Sequence, residues 1–441
     1  MKPIKVYLLS LGCAKNLVNS EQMLGLLRQD GMEILPEPEG ADVAIVNTCG
    51  FIDSAKSEAI QAILELAELK KQGGIRALIV TGCLTQRYQQ DFLKELPEVD
   101  AALGTGSYDS IVEAVRGVLE QQPRREYFAP REDSCLLGPR ELLTPGYSAY
   151  LRIAEGCDNR CAYCVIPMIR GAFRSAPMEA LVEEARRLAD SGVRELLVVA
   201  QDITRYGLDL YGRLRLSDLL RELEKIEGLH WIRLHYLYPD EMDDELLETI
   251  AASRKILHYF DIPIQHINDR VLRDMNRRGS GALIRERIER LRQLMPDAII
   301  RTSLIVGFPG ETEEEYQELY DFLQQYRLER VGIFCYSQEE GSPAAEMPNQ
   351  IDQSVKERRQ AELYALQEEV MDDFSQKQVG RTLEVLCCGR DEEGQCFGRS
   401  YMDSIDIDGQ VYFESDSACA GAFVPVHIEY AEGCDLYGRQ A

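Results

Sequence analysis

Short apolar runs, each followed by a stretch with helical spacing, recur through most of this chain. In residues 1–125 the runs are Val6–Ser10, Val43–Asn47 and Ala77–Thr81. The helical stretches between and after them cover about Ser20–Gln29, Ser54–Lys71 and Gln86–Lys94, and a further strand-like run is Asp100–Gly104. Strand-then-helix alternation predicts a parallel sheet covered by helices. Residues 126–147 carry Pro, Gly and mixed charge with little period, and read as a linker. The alternation then resumes. Strands are predicted at Tyr150–Ala154, Glu195–Ala200, Trp231–Leu237, Tyr259–Ile264, Ile299–Val306 and Arg330–Tyr336, with amphipathic helices such as Glu179–Asp190 and Leu283–Met295 between them. Six units are too few for a closed eight-fold barrel. They predict a partial (β/α)6 barrel with its site at the carboxyl ends of the strands. Ser354–Gln376 reads as one long charged helix. From residue 377 the pattern changes to short β-like runs separated by turns, which predicts a small β-barrel. The fold class is α/β, with domains expected at 1–125, 148–376 and 377–441.

Composition alters this picture in few places. No apolar run reaches the ~18 residues that span a bilayer, so no membrane role is expected. The opening MKPIKVYLLSLGC ends its apolar run at Gly12-Cys13 and reads as a first core strand, not a signal peptide, which argues for the cytoplasm. Thirteen Cys in a large chain of that compartment suggest clusters, not disulfides. The net charge of −26 disfavours nucleic acid as the dominant ligand and favours a basic partner. Residues 377–441 share that bias, with five basic residues against twelve acidic ones, a net of −7.

The chemistry lies in the cysteines. Cys157, Cys161 and Cys164 spell C-x3-C-x2-C just after the first barrel strand, and the next Cys is Cys335. Clustered thiolates point to iron–sulfur or zinc, and three ligands leave one metal position open for chemistry. A closed zinc site more often shows two C-x2-C pairs. Cys13, Cys49 and Cys83 each follow one of the first three strands, so all three fall at carboxyl ends where loops converge on a crevice. Gly12, Gly50 and Gly82 beside them permit close backbone approach. The alternative is three half-buried cysteines in ordinary turns. Cys135, Cys387, Cys388, Cys396, Cys419 and Cys434 have no cluster-like spacing. His235 and His266, at strand ends, read as packed or substrate-facing imidazoles.

The GCDNRCAYC segment resembles the cluster loop of the radical S-adenosylmethionine enzymes, with Tyr163 matching the aromatic residue before the last Cys. The resemblance implies a [4Fe–4S] cluster on Cys157, Cys161 and Cys164, and S-adenosylmethionine split to a 5′-deoxyadenosyl radical that abstracts hydrogen. It also implies cofactor contacts at Gln201 in VVAQD and at Gly307 and Gly310 in VGFPGETEEE. Taken alone, the latter reads equally well as a turn and helix cap with Glu311 and Thr312. The last segment resembles the TRAM domain, often an RNA-binding module, but in an acidic form. The order of the three domains resembles the methylthiotransferase family across nearly the whole chain. That implies a second [4Fe–4S] cluster on Cys13, Cys49 and Cys83.

SLGCAKNLVNSE, FDIPIQHIN, GIFCYSQEEGS and GRSYMDSIDIDG resemble the family's ribosomal-protein branch. The implied reaction replaces a β-carbon hydrogen of an aspartate in small-subunit ribosomal protein twelve, free or in the assembled subunit, with a methylthio group. The implied reductant is a flavodoxin or ferredoxin. Lys15, Arg233 and Arg301 could orient the substrate carboxylate, and nothing in the sequence chooses among them. Rival readings are a tRNA-adenosine methylthiotransferase, a radical enzyme of other chemistry, and a non-catalytic iron–sulfur carrier.

Overall fold

The computed structural model describes residues 2–123, 125–133 and 136–441; Cys135 lies outside them. The first sheet is parallel and runs Glu33–Leu35, Lys5–Ser10, Val43–Thr48, Ala77–Gly82, Ala101–Leu103, Glu126–Tyr127. Its central strands, VAIVNT and ALIVTG, are buried along their whole length, as a sheet covered on both faces requires. Alternate residues feed opposite cores. Val43, Ile45 and Ile79 pack with Leu24 and Leu27 of helix Ala14–Gln29. Ala44, Val46 and Val80 pack with Ile63 of helix Asp53–Lys71 and Phe92 of helix Cys83–Glu95. The sheet takes in Glu126–Tyr127, just past the expected boundary.

The stretch that reads as a linker is a tight strap. Arg140 is buried between Glu21 and Glu184, 2.5 Å and 2.6 Å from their carboxylates. Gln22 donates to the Leu136 carbonyl at 3.0 Å. The strap thereby ties helix Ala14–Gln29 to barrel helix Met178–Asp190.

The second parallel sheet has its strands in sequential order: Ser148–Arg152, Glu195–Val199, Trp231–Leu234, Ile256–Asp261, Ile299–Val306, Arg330–Cys335. Leu196 and Val198 point outward into a core shared with Leu181 and Leu219 of the surrounding helices. Their neighbours Leu197 and Val199 point inward, with Tyr150. There they meet Leu17 and Val18 of the first domain and Ile405 of the last, so three domains converge inside one partial barrel.

The last domain is a closed five-stranded barrel in the order Thr382–Arg390, Cys396–Arg399, Val411–Glu414, Asp435–Gln440, Phe423–Glu432. The connection between its second and third strands enters the amino-terminal end of the large barrel, burying Ser400, Met402 and Ser404. Asp403 and Asp408, two of the twelve acids counted toward an acidic surface, are spent here: Arg330 holds Asp403 at 2.9 Å, and the Tyr259 hydroxyl donates to Asp408 at 2.6 Å.

Candidate active site

Cys13 caps helix Ala14–Gln29, Cys49 follows strand Val43–Thr48, and Cys83 opens helix Cys83–Glu95. The loops that carry them are pressed together. Gly12 has φ +87°, and a Cβ there would stand 2.8 Å from the Cys49 Cβ. Asn16 donates to the carbonyls of Leu11 and Thr48 at 2.7 Å and 3.2 Å, and Asn47 donates to the Asn16 carbonyl at 2.9 Å. Two asparagines thus latch the first two loops, and the Thr48 hydroxyl, donating to the Thr81 carbonyl at 2.6 Å, ties in the strand before the third.

Arg170 reaches this site from the other domain. Its guanidinium lies 3.5 Å from the Cys83 Sγ and 3.1 Å from the Asn16 Oδ1, and its other nitrogen pairs with Glu155 at 3.0 Å. Burial pushes the Cys13 thiol up, but Lys15, Arg170 and nearby backbone N–H groups outweigh it and the net shift is down. Burial pushes Cys83 up to about 11 and also raises Cys49. Burial likewise raises the Glu155 carboxyl, yet Arg170 and Arg152 bring it down to about 2.

The second triad sits in the loop after strands Ser148–Arg152 and Ala154–Glu155. The Cys157 N–H donates to the Gly171 carbonyl at 3.1 Å, and the Cys164 N–H to the Cys161 carbonyl at 3.0 Å. Arg277 stacks on the Tyr238 ring, 4.3 Å from its centroid, and directs a nitrogen to the Cys161 Sγ at 3.8 Å. Burial pushes Cys157 up to about 12 and raises Cys164 further. Such thiols are protonated when free and must release protons to any metal they bind. Among the described residues no three His, Cys, Asp or Glu side chains are spaced to share one metal ion. A cubane cluster binds its thiolates on separate irons, so its ligands stand farther apart than those of a single zinc.

The segments that carry the two triads meet. Cys83 packs with Val165, which directly follows Cys164, and with Ile169 one helical turn further on. Thr105 donates to the Ile169 carbonyl at 2.8 Å, and Lys56 and Arg87 each meet Glu339 at 3.1 Å. The first domain therefore covers the carboxyl ends of the barrel strands.

Tyr163 lines a cavity of about 270 Å³ with Gln265, Ser303, Ile305 and Tyr336, and Phe51 and Ile52 supply its other wall. Gln201 donates to Glu155 at 2.7 Å and its carbonyl oxygen is buried with no hydrogen-bond partner among the described residues. Gly307 and Gly310 both have positive φ in the turn before helix Glu313–Tyr326, and a Cβ at Gly307 would strike the Lys356 stem. His235 is packed, 3.3 Å from Asp261 and 3.0 Å from the Ser404 hydroxyl. A larger surface groove of about 550 Å³ lies among Arg215, Arg221 and Lys225 and contains no cysteine. Sequence reasoning missed Arg170, Arg277 and Glu155. Only the fold brings them to the sulfurs; the spacing of Arg170 from Cys164 carries no signal.

Known proteins bear on this geometry. Residues 151–323 match the radical SAM superfamily, residues 5–104 an uncharacterized protein family (UPF0004), and residues 379–440 the TRAM domain. The ribosomal protein uS12 methylthiotransferase RimO of Lachnoclostridium phytofermentans is 48% identical over 437 residues, covering 99% of each chain. Its counterpart in Clostridioides difficile is 46% identical over 440 residues, covering 99% of this chain and 98% of the other. Among solved structures, the radical S-adenosylmethionine methyltransferase TsrM of Kitasatospora setae, with cobalamin and a [4Fe-4S] cluster bound, matches with TM-score 0.56 at 14% identity. The match covers 76% of this chain and 75% of that one, a likeness of fold alone.

Proposed function

This chain belongs to the RimO family of radical S-adenosylmethionine methylthiotransferases, and on that footing we propose that it methylthiolates the β-carbon of an aspartate in ribosomal protein uS12. The reading takes two [4Fe–4S] clusters, one on Cys157, Cys161 and Cys164 and one on Cys13, Cys49 and Cys83, and two molecules of S-adenosylmethionine. The observation that carries it is the packing of Cys83 against Val165 and Ile169, which sets the loop of one proposed ligand against the segment that follows Cys164. When bound, the clusters supply the electron that cleaves the cofactor and a seat for the transferred sulfur.

The chain's own residues bind, orient and exclude water. Arg277 and Arg170 set positive charge against the Cys161 and Cys83 sulfurs, a counter-charge for the thiolates that hold a cluster. Glu155 holds Gln201 and leaves its carbonyl oxygen as an acceptor suited to the cofactor's ammonium. Tyr163 offers its ring to the cavity, and Gly307 and Gly310 let backbone approach the adenosine end. The covering first domain keeps solvent from a carbon radical. No helix among the described residues is long and apolar enough to cross a membrane, and a ribosomal-protein substrate places the enzyme in the cytoplasm. The partner is uS12, free or in the small subunit, and the electron donor a flavodoxin or ferredoxin.

The test is anaerobic incubation of the reconstituted protein with uS12, tRNA, S-adenosylmethionine and reductant, read by mass spectrometry. A gain of about 46 mass units on a uS12 aspartate, H replaced by SCH3, is the expected result. The same gain on tRNA alone would transfer the substrate to the adenosine branch.

A further inference from the structure

We propose that Lys15 is the residue that receives the carboxylate of the substrate aspartate. The assignment rests on the uS12 reading above and selects among the three cations the sequence left open. Two of them are already engaged. Arg233 pairs with Glu195 at 3.1 Å, donates to the Tyr401 and Ser400 carbonyls at 2.9 Å and 3.3 Å, and lies over the Tyr259 ring. Arg301 pairs with Asp261 at 2.7 Å.

Lys15 is different. It is 7% exposed, yet its ammonium rests over the Tyr236 ring, 3.6 Å from the centroid. Its electrostatic neighbours are Tyr236, the Cys13 thiol and the Arg170 guanidinium, and none is a carboxylate. Burying a cation without a counter-charge is costly, and buried Lys356, which also has no carboxylate partner among the described residues, offsets that cost by donating to the Tyr336 carbonyl at 2.9 Å. Arg140, Arg152, Arg170, Arg330, Arg359 and Arg399 are all buried and each faces Asp or Glu. Lys15 has no such partner among the described residues: its ammonium faces the Tyr236 ring and neighbours the Cys13 thiol, which suits it to an incoming anion.

Its position fits that anion. Lys15 is the second residue of helix Ala14–Gln29, two places after Cys13, and it projects to the end of barrel strand Trp231–Leu234. Tyr236 holds it from below in a left-handed conformation, φ +66°. A bulky residue rarely adopts that conformation, and such strain collects at functional sites. The hydrogen to be removed is on the carbon next to the substrate carboxylate. Gripping the carboxylate beside Cys13 therefore presents that carbon between the two triads. Adenosine, the substrate of the sibling branch, has no carboxylate to offer, so one cation also sets specificity. S-adenosylmethionine has a carboxylate of its own, and the test must tell the two apart.

The experiment uses the reconstituted full chain with uS12 and with uS12 carrying asparagine at the reactive aspartate. Dissociation constants for both proteins and for S-adenosylmethionine are measured with wild type, Lys15→Met, Lys15→Gln and Lys15→Arg, beside iron and sulfide per chain. Wild type should prefer the aspartate protein by about 10- to 100-fold. Lys15→Met and Lys15→Gln should lose that preference with their iron intact, and Lys15→Arg should keep part of it. A Lys15→Gln protein that still discriminates overturns the proposal. So does a loss of iron, which would assign Lys15 to holding the sulfurs, or a weakened affinity for S-adenosylmethionine alone. If wild type binds uS12 but ignores the asparagine change, Lys15 is the wrong residue. If wild type fails to bind or modify uS12 at all, the substrate reading itself has failed.

Discussion

The two ends of the large barrel are built from the same six strands and come out opposite in kind. At the amino end the connection 400–408 is driven into the barrel and its charges find counter-charges. Arg399 meets Glu195 at 2.5 Å, Arg233 meets the same carboxylate at 3.1 Å, and Arg330 meets Asp403 at 2.9 Å. At the carboxyl end the groups are left waiting. Six thiols lie in the loops at that end, the Lys15 ammonium faces a ring, and the Gln201 carbonyl oxygen has no hydrogen-bond partner among the described residues. Burial of charge is tolerated where each charge meets its opposite, as at the first end. Where one does not, a ligand completes the set, and that contrast marks which mouth is chemical and which is structural.

The comparison breaks most visibly at Cys161. Cys161→Ala should abolish cleavage of S-adenosylmethionine and remove about half of the iron. It should leave the amino end alone, so Trp231, the only tryptophan, should keep its fluorescence. That indole packs edge-on against Phe423 of the small barrel, centroids 4.7 Å apart, and reports whether the two barrels are docked. A changed Trp231 signal would mean the ends are coupled. One step smaller is Arg170→Gln. Arg170 touches the Cys83 sulfur without being a ligand, and such partners are worth about 10- to 100-fold in metal retention or activity. Chelator-resistant iron on the Cys13, Cys49, Cys83 side should fall by that factor; retention at the wild-type level would show the guanidinium serves Glu155 alone.

These contrasts also explain what the sequence could show. Ile299–Val306 was read end to end as a strand because its apolar run is bounded by Pro296-Asp297 and Gly307. The cysteines of the first domain could be put at strand ends because strand-then-turn punctuation is local. The first helical stretch is expected at about Ser20–Gln29 and the helix starts at Ala14, because Lys15, Asn16 and Asn19 are polar and add no apolar period. They are in fact buried on the face that meets the second domain. The plug 400–408 failed for the same reason. Its acids count toward an acidic surface in the sequence, and Glu195, the partner of the adjoining Arg399, lies 204 positions earlier, beyond any local pattern. Hydrophobic periodicity assumes that polar means outside, and this site is made of exceptions.

The amino end can be opened by charge. Arg399→Met leaves Glu195 with one cation and should cost about 3 kcal/mol, at the low end for breaking a buried pair, because Arg233 stays. Denaturant unfolding followed at Trp231 would measure it, and a cost under 1 kcal/mol would mean the pair is incidental. Acid probes the same carboxylate. Burial raises Glu195, but Arg399 and Arg233 hold it down to about 2. Its folded value is depressed, so its stabilisation is full above the unfolded value of about 4.5 and is lost as pH falls from there toward 2. The Trp231 signal should therefore shift between about pH 4.5 and 2 in wild type, and less in Arg399→Met.

The smallest expected effect tests which class the turn at residues 307–312 belongs to, since it stands at the chemical end but is tied like the structural one. Thr312 caps helix Glu313–Tyr326: its hydroxyl accepts from the Glu315 N–H at 3.3 Å, and the Glu315 carboxylate accepts from the Thr312 N–H at 2.9 Å. Glu311 accepts from the Phe308 N–H at 3.1 Å and from the Gly307 N–H. Yet the Oε1 of Glu311 and the Nε2 of His266, 3.5 Å apart, are both buried without a hydrogen bond. Thr312→Ala removes a cap and should cost about 1 kcal/mol. If the turn is only scaffold, the KM for S-adenosylmethionine stays where it was while stability drops. If Gly307 and Gly310 approach the cofactor, loosening their turn raises that KM as well, and the Glu311 Oε1–His266 Nε2 edge, which lacks a hydrogen bond, joins Lys15 and Gln201 among the groups that a ligand completes.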